Sequence, residues 1–292
     1  MKNETTDSIF SVESLGTRIE VQVQGVLQVW HVWNKGAKDK LVLLHGGSGS
    51  WTHWLRNITE LSAAREVWAL DIPGFGDSQL PPQASDVDDL VPYVIEGMRV
   101  IAEGEALDVI GFSFGGLLAG FIAATDRSIV RSLILVGVPA LGLTGTPLAL
   151  RGLRSDMKEL EVQVVVRHNL KVMMIANEDM INSETLELQQ KNIARDRLKR
   201  RRIARGDAML RLQKDWSCPV FAIWGELDAL YKGRIDEVRE RLKDCDLREF
   251  NIIPNAGHWV QYEQATAFNA CILKILDRLI DQRTNHSSTR RK

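Results

Sequence analysis

The 292 residues are 45% hydrophobic and 26% charged, with a formal net charge of -1, an ordinary composition for one large domain or a domain carrying an insertion. So even a charge balance gives no reason to expect nucleic acid or an anionic membrane as partner. No run of about 20 apolar residues occurs, so no membrane span is expected.

Arg18 to Gln24 (RIEVQVQ) and Leu27 to Trp33 (LQVWHVW) alternate in polarity around Gly25-Val26. That pattern predicts a β-hairpin, with His31 exposed on its polar face. Leu41 to Leu44 is a continuous apolar run, as in a strand buried on both faces. It leads into His45-Gly46-Gly47-Ser48-Gly49-Ser50 and a helix-like stretch from Trp51 to Ala63. The glycines match neither G-x-G-x-x-G nor a P-loop, so no nucleotide cofactor is expected. Val67 to Leu70 predicts the next strand, closing in DIPGFGDS at 71–78, and Val87 to Ala102 carries helical periodicity.

Leu107 to Ile110 and Leu117 to Ala124 predict a buried strand and an apolar helix. Between them lies Gly111-Phe112-Ser113-Phe114-Gly115, the G-x-S-x-G order of a nucleophile elbow. Leu133 to Val136 predicts a further strand. Strand and helix alternate to this point, which implies a parallel sheet covered on both faces.

From about Ala140 the alternation stops. Leu141 to Gln213 offers one strand candidate, Val162 to Val166, and a helical stretch from Thr185 to Arg205. The basic run Lys199 to Arg202 reads as a solvated helix face paired with Glu184, Glu187 and Asp196. Pro219 to Trp224 restores the sheet, followed by Gly225-Glu226-Leu227-Asp228. A helix at 234–242, a strand at 246–252, the turn Pro254-Asn255-Ala256-Gly257-His258-Trp259 and a helix from Gln264 to about Leu279 complete the chain. The expected organisation is a core of residues 1–139 and 214–283, a helical lid at 140–213 and a disordered tail at 284–292 (TNHSSTRRK).

Residues 1–8 lack the apolar stretch of a secretory signal. Cys218, Cys245 and Cys271 are odd in number and widely spaced, suggesting neither disulfides nor a metal site and fitting a cytoplasmic setting.

Serine-based acyl transfer needs a base, a carboxylate to orient it, and donors for the oxyanion. In a parallel sheet these groups meet at the carboxyl edge of the strands. Ser113, Asp228 and His258 each follow a predicted strand, in the chain order expected of such a fold. Glu226 is the alternative acid. The expected oxyanion donors are the backbone N–H groups of Gly47 and Phe114, and His45 is read as a structural turn residue.

With these motifs in place the sequence resembles an α/β-hydrolase, through HGG at 45–47, DIPGFGDS at 71–78, GFSFGG at 111–116, WGELD at 224–228 and NAGHW at 255–259. The resemblance spans about Leu27 to Ile280. It implies a mostly parallel eight-stranded sheet with helices on both faces and the lid inserted after strand 6. Within the fold, GHWVQYEQATAFN at 257–269 resembles the meta-cleavage-product hydrolases, which cut a carbon–carbon bond in 2-hydroxy-6-oxo-dienoates. That branch usually has Asn where Phe112 stands and a second Asn where this chain has Trp51-Thr52-His53-Trp54. It also implies a lid arginine that holds the dienoate, with Arg195 and Arg197 as candidates, and a homodimer.

Trp51, Trp54, Phe112, Phe114 and Trp259 flank the motifs and suggest an apolar pocket, with His53 beside it and Met173, Met174 and Ile175 as lid residues able to close over it. The expected function is hydrolysis of a small apolar ester or of such a dienoate, without metal or cofactor. The alternative is a ligand receptor on the same fold with slow or no turnover.

Overall fold

The computed structural model describes residues 9–143, 147–198 and 200–289. Residues 1–8, where a signal was looked for, lie outside them, as do Lys199 and 290–292. The strands are β1 (Thr17–Val23), β2 (Val26–Trp33), β3 (Lys40–Leu44), β4 (Glu66–Asp71), β5 (Leu107–Phe112), β6 (Val130–Val136), β7 (Val220–Gly225) and β8 (Leu247–Ile253). They form one eight-stranded sheet in the order β1-β2-β4-β3-β5-β6-β7-β8. The pairs β1–β2 and β2–β4 are antiparallel, and all pairs from β4 to β8 are parallel.

The helices are α1 (Ile9–Leu15), α2 (Ile58–Leu61), α3 (Val91–Ala102), α4 (Phe114–Thr125), α5 (Glu159–Asn169), α6 (Ser183–Ala194), α7 (Ala208–Leu212), α8 (Ile235–Arg241), α9 (Val260–Glu263) and α10 (Ala265–Thr289). They cover both faces of the sheet with separate apolar clusters. One centres on Leu44, Val109, Leu117 and Leu133, the other on Leu43, Ile110, Ile134 and Phe268. The central strands are buried almost throughout, as their unbroken apolar runs require. Strand order reverses at β3, whose neighbours are β4 and β5. The crevice at such a switch point is where open α/β sheets bind ligands.

Several expectations are corrected. Val162 to Val166 lies inside α5, despite its β-branched residues. Glu161 accepts the Lys158 N–H at 2.8 Å, and acids in the first turn and bases in the last suit the helix dipole. The helix expected over Thr185 to Arg205 stops at Ala194, because tertiary hydrogen bonds take the chain elsewhere. The Arg197 N–H donates to Gly74 O at 2.8 Å, and its guanidinium binds the carbonyls of Phe75, Gly76 and Ser78. Of the basic run, Arg200, Arg201 and Arg202 therefore lie on no helix face, and Lys199 lies outside the described residues. Trp51 to Ala63 is a 3₁₀ turn (Trp51–Trp54) followed by the short α2. His31 is buried rather than exposed, packed against Trp33 and Trp51 with Nε2 3.9 Å from Asp71 Oδ2. Helix α10 runs to Thr289, well past Leu279 and into the stretch expected to be disordered. No glycine or proline interrupts it.

Candidate active site

Sharp turns after β3, β5, β7 and β8 converge at the switch point. At the β5–α4 elbow Ser113 takes φ 50° and ψ -115°, a strained conformation for a residue with a side chain. Main-chain bonds hold it there: its N–H donates to Val136 O at 2.8 Å, and its carbonyl accepts from the N–H groups of Gly116 and Leu117, both at 3.0 Å. Gly115 lets helix and β3 approach, since a Cβ there would overlap the carbonyl oxygens of Leu44 and His45. Ser113 Oγ donates to His258 Nε2 at 2.9 Å. His258 Nδ1 donates in turn to Asp228 Oδ2 at 2.9 Å, and the remaining Asp228 oxygen accepts Leu230 N–H at 2.9 Å. Both His258 and Asp228 are buried. A carboxylate only accepts, so the proton sits on Nδ1 and leaves Nε2 free to receive the serine proton. Glu226 is exposed instead, its Oε2 accepting Asn255 N–H at 3.2 Å.

Gly47 and Phe114 line the same cavity as Ser113. Among the described residues neither N–H has a hydrogen-bond partner, and Phe114 opens α4, where free N–H groups favour negative charge. His45 Nδ1 donates to Gly46 O at 2.7 Å, while Nε2 accepts Ile72 N–H at 3.0 Å. Burial outweighs the pull of Asp71 and lowers its pKa to about 4. His45 is thus a neutral brace between the turns after β3 and β4. His53 accepts Gly46 N–H at Nδ1, at 3.2 Å. Burial, and then repulsion from His45, lowers its pKa to about 3.

The cavity over Ser113 holds about 610 Å³. Its floor is Phe112, Phe114 and His258, and apolar residues of 140–213 form its walls, among them Leu150, Val166, Leu170, Met173, Met174 and Ile193. Of the expected aromatic lining, Phe112 and Phe114 are present. Trp51 packs on Trp33, Trp54 on Phe268, and Trp259 on Tyr262 with its indole N–H donating to His53 O at 3.1 Å. These three tryptophans and His53 belong to the packing behind the cavity, and Ile175 likewise does not line it.

Arg195 and Arg197 also lie elsewhere, along a shallow groove with Asp77 and Pro82. Arg195 pairs with Asp77 at 3.0 Å. Arg151, Arg201 and Arg205 line the cavity instead. Arg201 pairs with Asp196 and lies over the Phe75 ring at 5.2 Å.

The expected pairing of the basic run with Asp196 is present at Arg201, but sequence reasoning did not bring Arg151, Arg201, Arg205, Gln189, Asn192 or Asp196 to the site, and it gave Glu263 no role. The Glu263 carboxylate accepts N–H groups from Gly257, Ala176 and Asn177 at 2.7, 3.1 and 2.6 Å, tying the His258 turn to the segment after Met174. Glu263 falls within the 257–269 motif, so a signal for it existed.

The sequence profile of the alpha/beta hydrolase family matches residues 41–270. A 2-hydroxy-6-oxononadienedioate/2-hydroxy-6-oxononatrienedioate hydrolase of Paraburkholderia phymatum is 26% identical over 298 residues, covering 93% of this chain and 99% of its own. The dihydrolipoyllysine-residue acetyltransferase component of an acetoin cleaving system from Pseudomonas putida is 29% identical over 272 residues, 88% of this chain and 68% of its own. Among solved structures, the meta-cleavage product hydrolase CumD superposes with a TM-score of 0.70 at 23% identity, over 89% of this chain and 98% of that one. Naproxen esterase from Bacillus subtilis does so with a TM-score of 0.71 at 19% identity, over 89% and 91%. Both share the fold. No described helix is long and apolar enough to cross a membrane.

Proposed function

This chain belongs to the alpha/beta hydrolase family, and within it we propose a serine hydrolase acting on small, largely apolar carboxylic esters. The observation that carries this is the relay Ser113–His258–Asp228, with both hydrogen bonds at 2.9 Å, beside two N–H groups that have no partner among the described residues, at a largely apolar cavity. Ser113 Oγ attacks the ester carbonyl as its proton passes to His258 Nε2. Asp228 holds the ring in the required tautomer and stabilises the imidazolium. The Gly47 and Phe114 N–H groups receive the oxyanion, each such donor being worth about 10²–10³-fold in rate. His258 then protonates the leaving alcohol. It next deprotonates a water, which attacks the acyl-enzyme and releases the acid.

Residues 140–213 act as the lid in this reading. The odd number and wide spacing of Cys218, Cys245 and Cys271 support a reducing, cytoplasmic setting, and the family resemblance supports a homodimer.

A second substrate class is favoured by two observations. Curated relatives include dienoate hydrolases, and Arg151, Arg201 and Arg205 put positive charge at the cavity. For a 2-hydroxy-6-oxo-dienoate, His258 first helps ketonise the dienol, and water then cleaves the carbon–carbon bond. Here Arg201 takes the place expected of Arg195 or Arg197, while Phe112 stands where that branch has an amide.

The test is steady-state turnover of the wild type and Ser113→Ala on p-nitrophenyl butyrate and a 6-phenyl hydroxy-oxo-dienoate. We expect kcat to fall by about 10⁴-fold or more in the variant. Faster turnover of the dienoate assigns the second class. No Ser113-dependent turnover of either substrate overturns the hydrolase reading in favour of a ligand-binding module.

A further inference from the structure

The turn that carries the Gly47 N–H has little to hold it in shape. Gly46-Gly47-Ser48-Gly49 contains one side chain, and among the described residues the main-chain N–H groups of Gly47, Ser48 and Gly49 have no hydrogen-bond partner. Ser48 sits at φ 51°, in the left-handed region that is unfavourable for a residue with a Cβ. Left alone, such a turn would relax, and the direction of the preceding peptide N–H would change with it.

Among the described residues, every side chain outside residues 45–53 that bonds the stretch 48–50 comes from Gln189, Asn192, Asp196 or Arg201. Ser48 Oγ donates to Asp196 Oδ2 at 2.6 Å and accepts from Arg201 Nη1 at 3.3 Å. Arg201 in turn pairs with Asp196. Gln189 Nε2 donates to Ser48 O at 3.2 Å, and Ser50 Oγ donates to Asn192 Oδ1 at 2.8 Å. Gln189 and Asn192 are buried. They share one face of α6, at i and i+3, with Asp196 just past its end, so a single helix brings the whole set down onto the turn.

We propose that the segment between β6 and β7 completes the oxyanion hole: Asp196, supported by Gln189 and Asn192, is a positioning residue that holds Ser48 left-handed and so aims the Gly47 N–H over Ser113. This rests on the hydrolase reading above, and it means that docking of the lid and assembly of the catalytic machinery are one event. Asp196 acts through Ser48 and touches no substrate.

The measurement is turnover of p-nitrophenyl butyrate by Asp196→Ala and by Asp196→Ala/Ser48→Gly, together with amide hydrogen exchange of residues 46–50 in the intact chain. Asp196→Ala is expected to lower kcat about tenfold, part of what a lost oxyanion donor costs, with KM within about twofold. Glycine adopts positive φ without strain, so the added Ser48→Gly should restore most of kcat. A general packing defect would not be repaired this way. Exchange at 46–50 should quicken in Asp196→Ala. A loss carried by KM, an unchanged kcat, or failure of Ser48→Gly to restore it overturns the proposal. Should the wild type show no Ser113-dependent turnover, the hydrolase reading fails separately. Exchange then decides the anchoring alone: unchanged rates at 46–50 overturn it and faster rates support it.

Discussion

Arg195, Arg197 and Arg201 are near neighbours in sequence, yet they serve different parts of the molecule. Arg197 is spent on main-chain carbonyls of the turn after β4, and Arg195 on Asp77 at the rim of a separate groove. Arg201 lies between Asp196 and the Phe75 and Phe114 rings, with its Nε buried beside the cavity and without a partner among the described residues. An unpaired buried donor favours a ligand acceptor. The two ends of this stretch should therefore respond differently to truncation. Arg195→Ala removes a half-exposed ion pair, and turnover should stay within about twofold of the wild type. Arg201→Ala should lower kcat/KM on the dienoate by about tenfold or more, as for loss of a hydrogen bond to a charged group, and on the neutral ester by less. Equal losses on the two substrates would remove the carboxylate-binding role from Arg201.

At the scale of elements, local chemistry explains which features the sequence made legible. The strand–turn–helix units at Leu107–Thr125 and Lys40–Trp54 announce themselves through apolar runs ended by glycine, and Ser113, Asp228 and His258 each stand just past a strand. The sheet topology then brings them together, so residues 145 positions apart in sequence share a hydrogen bond. The contacts between α6 and the turn after β3 were not legible for the opposite reason. Gln189 and Asn192 form a polar stripe on α6, which by pattern alone reads as solvated; only docking on Ser48–Thr52 buries it. Trp51, Trp54 and Trp259 misled because adjacency to a motif fixes position along the chain, whereas the local backbone decides which way each ring points. The elbow itself gives a direct test. A methyl group at Gly115 would meet the main chain of β3 at Leu44 and His45, which has no freedom to withdraw. Gly115→Ala should therefore destabilise the fold by about 3 kcal/mol, seen as a lower denaturation midpoint at unchanged m-value. A midpoint equal to that of the wild type would show that helix α4 is free to shift away from the sheet.

For the molecule as a whole, the two histidines beneath the turn after β3 couple stability to pH. Both are buried and neutral, His45 held to about 4 and His53 to about 3 chiefly by burial. In the unfolded chain each imidazole returns to about 6.5. Above that pH neither state binds the extra protons, and the folded form keeps its full stability. Below it the unfolded chain takes up protons that the folded one refuses, at about 1.4 kcal/mol per histidine per pH unit, until the folded pKa values are reached. Stability is thus lost as pH falls from about 6.5 towards about 4. Buried Asp71, although burial opposes its charge, is kept below the usual carboxylate range by His31, by His45 and by the Asp77 N–H. Its own contribution is lost only at lower pH, outside this window. The melting temperature should accordingly drop steeply between pH 6.5 and 4.5 at constant ionic strength. His53→Asn tests the assignment, because its amide oxygen can replace Nδ1 as acceptor for the Gly46 N–H and does not titrate. The variant should lose roughly half of the His45 and His53 contribution to the slope, about 1.4 kcal/mol per pH unit. A slope identical to that of the wild type would show that His53 is protonated at its ordinary pKa in the folded protein, and that the turn beneath Gly47 tolerates a charge.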